Sequence, residues 1–417
     1  MPRGGSPAGH SARLRAQSGF GSVLPAVVCL LCIAALIGAS PGFETDTSSR
    51  SSDDPLVPDS VLTIPSGPTL ILERTAGIPV VGIRVSAPLD PPWPGAARIL
   101  VEQALDRARS RAEAIGAELW GGVQDGRIAF HAIADARYAD ELAWVVRLLA
   151  GEPEAIGAGG AIAREHARLD QLAETPRGRL VLEMEGRVLG GGGGALPVPA
   201  VDDVRDMWRR SHARDRLRIL VLGDLPLHWV FSDLSRIGAP PGPPAGAPFM
   251  PPPRTLSFPE SPLYTWSAAA FSLGPAHDPA VLAAAAALRV GLVRSEMPNA
   301  AVNMVEGPND RSGWLGITVR AARRRDADAA MASALALMTE EGLDAWWTMG
   351  AATARSDFMA AASTPAGWLA LSDRYHADDG STNARTALER LTTLRRQDLA
   401  PVLEQFQATL FRPGIDR

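Results

Sequence analysis

The sequence predicts an α+β protein of two tandem domains, each a mostly antiparallel sheet with helices packed on one face. Three observations lead there. In the first half, short β-rich segments punctuated by Gly and Pro alternate with long helical periodicities. The same order of elements returns after about two hundred residues, as an internal duplication would leave it. Between the two copies runs a stretch crowded with proline and glycine (IGAPPGPPAGAPFMPPP), which sustains neither helix nor central strand and reads as an extended connector.

The first elements are strands. Val61–Ile64 runs into a Pro65-Ser66-Gly67-Pro68 turn, then Thr69–Glu73, a break at Ala76-Gly77-Ile78-Pro79, and Val80–Ala87. These segments are rich in β-branched residues and bounded by turn formers. Past Pro88–Pro94, apolar residues at Ala97, Leu100, Val101, Ala104, Leu105, Ala108 and Ala112 recur every three or four positions. That spacing predicts a helix over Ala96–Ile115 with one buried face. Strands at Ala117–Val123 and Arg127–Ala134 and a helix at Ala139–Ala150 follow. Ala161–Val188 reads as a long helix or a helix pair, Gly190–Gly194 as a glycine loop, Asp202–Arg214 as a helix and Leu217–Gly223 as a closing strand before Asp224.

The second half repeats the order. A strand is expected at Leu263–Leu273, an alanine-rich helix at Asp278–Arg294, strands at Ala300–Val305 and Trp314–Arg320, and a helix at Asp326–Glu340. Two helical segments, Leu343–Ser372 and Asn383–Ala408, close the chain. The expected boundaries are a tether at 44–59, an N-terminal domain at 60–235, a linker at 236–261 and a C-terminal domain at 262–417.

In this order, and in the turn before TLILE, Gly95 at the helix start and Ile115-Gly116-Ala117 after it, the chain resembles the pitrilysin/insulinase-type zinc metallopeptidases. It is most similar to the branch that contains the mitochondrial processing peptidase. The resemblance extends along nearly the whole exported part. It implies a clamshell half, and on the first long helix an H-x-x-E-H motif whose two histidines lie one turn apart. In that motif the glutamate polarises a zinc-bound water. Here the five residues are Arg98-Ile99-Leu100-Val101-Glu102, or Ile99 to Gln103 if the alignment slips by one; the second register keeps Glu102 at the glutamate position. Neither register contains a histidine.

The family's third ligand, a glutamate further along, falls in Arg164-Glu165-His166-Ala167-Arg168-Leu169-Asp170-Gln171, with Asp170 or Gln171 near its position. One acidic group cannot hold zinc, so the resemblance leaves the degenerate zinc-site positions Ile99, Glu102, Gln103 and Asp170, with no metal or other cofactor expected. In the family's second domain an arginine and a tyrosine grip the substrate peptide. Arg294 matches the arginine, whereas the tyrosine position is Val302 or an alanine beside it.

Composition agrees with an exported two-domain protein. The chain has 417 residues, enough for two domains of roughly 150–200 residues that each bury a core. Hydrophobic residues at 46% and charged ones at 21% are ordinary for globular material. The formal charge of −5, with dispersed basic residues, argues against a nucleic-acid partner. Arg3, Arg13 and Arg15 precede a charge-free run from Ala16 to Phe43 with an apolar centre at Val23–Ile37, and Glu44, Asp46, Asp53 and Asp54 follow. Positive before and acidic after predicts an N-in, C-out orientation, so residues 1–43 are a cleaved signal peptide or an uncleaved membrane anchor. Either way the domains lie outside the cytosol, periplasmic or extracellular. Cys29 and Cys32 sit inside this apolar run and read as small apolar residues, which leaves the exported part without cysteine.

Other constellations are better read as structure. The 7 histidines are scattered, with no two inside one helical turn. Glu165-His166 beside Asp170 has the makings of an acid–base pair but is more often a solvated helix face. The glycine run lacks the Gly-Lys-Ser/Thr of a phosphate loop, and the chain contains no lysine. Arg323-Arg324-Arg325 runs at once into Asp326 and Asp328, a turn entering a helix whose acidic start suits the macrodipole. Trp314 and Trp346-Trp347 read as core or interface aromatics.

The resemblance therefore implies a non-catalytic, exported subunit, partner to an active zinc peptidase of the same family, that helps hold an unfolded peptide by strand addition and apolar pockets. Membrane contact would come through the N-terminal segment. A second reading is an independent membrane-associated scaffold or binding protein with no peptidase partner. A third, a peptidase with altered ligands, runs against the need of a hydrolytic zinc for about three protein ligands.

Overall fold

The computed structural model describes residues 60–74, 79–90, 93–124, 126–154, 158–190, 195–225, 227–240, 265–273, 278–295, 300–306, 313–376 and 383–408. All lie in one compact unit, Ser52–Arg417. The predicted signal or anchor, the cysteine pair, the tether and most of the linker fall outside the described residues. Among the described residues, no helix is long and apolar enough to cross a membrane.

The first sheet begins with a hairpin, β1 (Ser60–Thr63) and β2 (Thr69–Glu73), paired antiparallel from Ser60 opposite Leu72 to Thr63 opposite Thr69. In its turn Ser66 takes a left-handed φ of 56° and the Gly67 amide donates to the Ile64 carbonyl at 2.8 Å. Strand β3 (Val80–Pro88) leads to helix α1 (Pro94–Ala114), then to β4 (Glu118–Gln124), β5 (Arg127–Asp135) and helix α2 (Ala139–Leu149). Helices α3 (Ala158–Glu174), α4 (Pro176–Gly190) and α5 (Val201–Ser211), strand β6 (Arg218–Leu222) and helix α6 (Leu227–Leu234) complete the half.

Strand order is β1-β2-β6-β3-β5-β4. Strand β6 pairs parallel with β2 and antiparallel with β3, so the sheet is mixed, with its last strand in its middle. Alternation sorts its residues by face. Leu70, Val81, Ile83, Val85, Phe130, Ala132, Ile219 and Val221 point into the main core with α1 and α2. Ile71, Ile133, Leu220 and Leu222 point the other way.

Helix α1 starts with Pro94 at its first turn, where a missing N–H costs nothing. It buries Ala96, Ile99, Leu100, Gln103, Ala104, Ala108 and Ala112. It ends where Gly116 adopts φ +65°, with the Gly116 amide donating to Glu113 O and the Ala117 amide to Ala112 O. This left-handed exit favours glycine.

The second half follows the same plan. Strand β7 (Thr265–Leu273), helix α7 (Pro279–Arg294), strands β8 (Ala300–Glu306) and β9 (Gly313–Ala321) and helix α8 (Arg324–Ala336) form an antiparallel sheet of order β7-β9-β8. That order matches β3-β5-β4 of the first sheet. The expected segment Leu343–Ser372 is two helices, α9 (Glu340–Ala362) and α10 (Pro365–Tyr375), and Asn383–Ala408 resolves into α11 (Ala384–Thr393), a turn of 3-10 helix and α12 (Ala400–Ala408). Alanines of α7 lie against α9 so closely that a Cβ at Gly350 would lie 2.5 Å from that of Ala287.

The breaks α3/α4 and α9/α10 are the same joint made twice. Thr175 caps α4 and Thr364 caps α10, each hydroxyl accepting at 3.1 Å from the amide of a glycine three residues on, Gly178 or Gly367. A Cβ at Gly178 would collide with the Leu172 carbonyl, and one at Gly367 with that of Ala361, because the preceding helix ends against the new first turn. Both joints read Thr-Pro-x-Gly-x-Leu-x-Leu.

Each second helix crosses to the other half. Leu369 of α10 packs with Ile71, Ile133, Leu220 and Leu222 on the first sheet, where a Cβ at Gly82 would lie 2.9 Å from its Cδ1. Leu180 and Met184 of α4 pack on Ala270 of the second sheet, where a Cβ at Gly316 would lie 2.9 Å from the Met184 sulfur. A reciprocal exchange of helices thus covers part of each sheet's outer face.

Candidate functional site

Helix α1 and helix α3 face each other through charged side chains. Arg98 donates to Glu165 through Nη2 at 2.9 Å and Nε at 3.1 Å, and Arg168 donates to the same carboxylate through Nε at 2.8 Å and Nη2 at 2.9 Å. Arg98 also approaches Glu185 of α4 at 3.7 Å. The Glu165 side chain is only 4% exposed. A turn further along α1, Glu102 accepts from Arg164, which also reaches Asp106 at 3.7 Å.

Glu165 serves a second purpose. Helix α1 has neither an acidic residue in its first turn nor a side-chain cap. A Cβ at Gly95 would sit 3.3 Å from Glu165 Oε1, so the carboxylate stands beside that first turn, where the helix macrodipole favours negative charge. Burial pushes the Glu165 carboxyl upward, but hydrogen bonds from Arg168 and Arg98 and their charges outweigh it and hold the group below its ordinary value. Trp93, Leu169, Leu182, Leu196 and Pro197 wall a cleft around these charges.

The sequence-predicted positions divide between this face and the core. Ile99 is 1% exposed and belongs to the main core. Gln103 is buried and donates to the Glu154 carbonyl at 3.3 Å, its Oε1 without a hydrogen-bond partner among the described residues. Glu102 turns toward α3. Asp170 is exposed, five residues and about 140° of helix rotation away from Glu165. The pair one turn apart that faces α3 is therefore Arg98 and Glu102, and the acid opposite them is Glu165. Arg294 is the last residue of α7 and exposed; Val302, on edge strand β8, packs against the second core.

These residues do not fit zinc. One of the three convergent positions is a guanidinium, and the buried carboxylate is already held by two arginines. Among the described residues, no group of three His, Cys, Asp or Glu is placed to hold a metal ion.

A second polar cluster lies on the outer face of the first sheet, and no local pattern in the chain marks it. Arg84 Nε donates to Asp373 Oδ2 at 2.9 Å and the Ser86 hydroxyl donates to Oδ1 at 2.7 Å, with Arg127 3.9 Å away. The Arg84 and Asp373 side chains are 2% and 4% exposed. Burial raises the Asp373 carboxyl, yet the Arg84 and Arg127 charges hold it below its usual range. Next to Arg84, His131 stacks on Trp120 with centroids 5.2 Å apart. Burial, then the Arg84 charge, lowers His131 to about 4, and burial, then Arg107, lowers His212 to about 3, so both imidazoles are neutral.

Glu102 is one of the positions the resemblance marks, and the residues that share its face carry one readable signal. Arg98 and Glu102 on one helix, and Arg164 and Glu165 on the other, are complementary in charge. Asp373 had none, since its partner lies in the other half of the chain.

No protein-family model matches the chain, and no curated protein matches it by sequence. Solved structures match by fold. The chain superposes on a protease from Helicobacter pylori with a TM-score of 0.65 at 12% identity, over 85% of this chain and 99% of that one. A peptidase M16 inactive domain from Pseudomonas fluorescens gives 0.60 at 12% identity, over 85% of this chain and 97% of that one. The periplasmic protease PqqL from Escherichia coli gives 0.58 at 12% identity, over 90% of this chain and 48% of that one, so this chain spans about half of it. The α+β architecture is that of M16-like peptidase halves.

Proposed function

We propose that the chain is a non-catalytic, exported metallopeptidase-like subunit that pairs with an active zinc peptidase of the same fold and helps hold an unfolded peptide. One observation carries this reading: the two positions a turn apart on α1 that face α3 are Arg98 and Glu102, each tied across the gap by an ion pair. The place where a zinc peptidase gathers its ligands is closed by charges that neutralise one another. Val101, between them, is 7% exposed and packs in the core, so no general base stands there.

A holding role needs a surface rather than a metal. Strand β4 follows α1 directly and ends the strand order of the first sheet, so its outer edge has no neighbouring strand among the described residues. An extended peptide adds to such an edge through main-chain hydrogen bonds. Exposed Arg294 is the proposed contact from the second half. In this reading residues 60–235 and 262–417 are the two domains, 236–261 joins them, and 1–43 directs export.

Mixing tests the proposal. The purified chain, combined with a peptidase that carries intact H-x-x-E-H and is encoded beside it, should co-elute with that peptidase and raise its cleavage of an unfolded peptide. A chain that elutes alone and leaves the rate unchanged favours the independent scaffold. Stoichiometric zinc in the isolated chain with chelator-sensitive cleavage would overturn both.

A further inference from the structure

Helices α4 and α10 are equivalent in sequence and in place. Aligned on Thr-Pro-x-Gly-x-Leu-x-Leu, Leu180 matches Leu369, Leu182 matches Leu371 and Met184 matches Asp373. The first and last of each set face the other half's sheet. The middle one faces its own half: Leu182 lines the cleft beside Arg98, and Leu371 packs in the second core. Two interchangeable helices thus have two sheet faces to choose between, and they differ at the last of the positions that face the sheet.

We infer that the Arg84–Asp373 pair is a selection device that reserves the outer face of the first sheet for α10 and turns α4 away. The receiving surfaces are matched to that difference. Met184 enters a surface whose described residues include Ala270 and Gly316, with the Thr318 hydroxyl two positions along β9, and none of these is charged. Asp373 enters one that offers the Arg84 guanidinium, the Ser86 hydroxyl and nearby Arg127. Docked the wrong way round, α4 would leave Arg84 buried without a counter-charge. Equally, α10 would bury a carboxylate against alanine and glycine. An uncompensated buried charge is among the strongest penalties a protein can build against a wrong partner.

Chain order gives the device its purpose. Strand β6 ends at Leu222, so the first sheet and α4 are both made well before α10, which starts at Pro365. During that interval α4 is the only one of the pair present, and it already presents Leu180 at the position Leu369 will use. Glu185, beside Met184, does not substitute for Asp373, because it is turned toward Arg98. Without Arg84 the early face would keep the Ser86 hydroxyl and Arg127 but lose the buried guanidinium that Asp373 meets.

Refolding of the full-length chain from denaturant tests this. Met184→Asp gives α4 the acid that Arg84 selects, whereas Met184→Asn buries a polar group of the same shape with no charge. Both should melt at lower temperature than the parent. Only Met184→Asp should leave a several-fold larger fraction of chains trapped without native tryptophan fluorescence, and adding Arg84→Met should remove that excess. Equal trapping in the two variants overturns the inference. Should both be too unstable to refold, Arg84→Met/Asp373→Met supplies the readout: near-parent stability with a reduced native yield supports selection, and an unchanged yield overturns it.

Discussion

Arg98 holds both oxygens of Glu165, at 2.9 to 3.2 Å, from the α1 position that points across to α3. An arginine there does by charge pairing what a metal would do by coordination, joining one helix to the next. If that correspondence is right, Arg98→His/Val101→Glu/Glu102→His recreates H-x-x-E-H opposite Glu165, with two imidazoles on one helix face and a carboxylate to close the set. The triple variant should bind zinc at one per chain by metal analysis and melt at higher temperature when loaded. The same exchange in the other register, Ile99→His/Gln103→His, should lose stability and bind none, because Ile99 lies in the core and Gln103 is buried at the α1 surface.

Two of the ion pairs between α1 and α3 should differ in weight. Glu165→Gln removes a buried carboxylate that accepts from two arginines and stands by the α1 first turn, and should cost about 2 kcal/mol. Glu102→Gln breaks a pair in which Arg164 is 57% exposed, and should cost under about 0.5 kcal/mol. Urea unfolding of the two variants side by side measures the difference.

Stability should fall as the solution is acidified from neutral. His131 and His212 have folded values of about 4 and about 3, below the ordinary 6.5, so the unfolded chain binds more protons than the folded one across that window. Their contribution is complete above pH 6.5 and is lost as pH falls toward 4. Glu165 and Asp373, held below their usual values, act in the same direction at lower pH. His131 accounts for on the order of 3 kcal/mol. His131→Leu should therefore flatten the dependence of the urea midpoint on pH between 6.5 and 4.5; an unchanged slope would show that His131 does not carry it.

Gly116 at φ +65° ends α1 in a conformation that side chains resist. No atom lies near its missing Cβ, so Gly116→Ala isolates the backbone term. It should cost about 1 kcal/mol, and Gly116→Asn less, as read from the same urea midpoints.

Much of the fold was legible along the chain. Thr69–Glu73 and the span from Arg127 into α2 were placed by their own patterns, since a strand with one buried face or a helix with one apolar stripe writes its period locally. Pairing was not legible. Strand β6 lies between β2 and β3 because of what stacks above and below it, and nothing in RILVL says so. Proline disfavours helix in the residue before it, which marks the breaks before Pro176 and Pro365, yet the periodicity of Ala161–Val188 fits one helix or two and that of Leu343–Ser372 reads as one segment. Short helix α6 has no signal of its own in the chain, because it follows a strand whose Gly-Asp end reads as terminal. At the site, the register between Arg98 and Ile99 stayed open in the sequence, and the facing helix decides which of the two turns toward α3.

The central place of β6 bears on what happens when the chain is cut short. A product that stops anywhere before Arg218 leaves β2 and β3 each with an open edge of unpaired amides and carbonyls, on strands whose side chains are almost wholly buried in the finished sheet. Such edges recruit other strands. Truncation should therefore lead to aggregation rather than to a smaller soluble domain, and an N-terminal fragment meant for study has to run past Leu222.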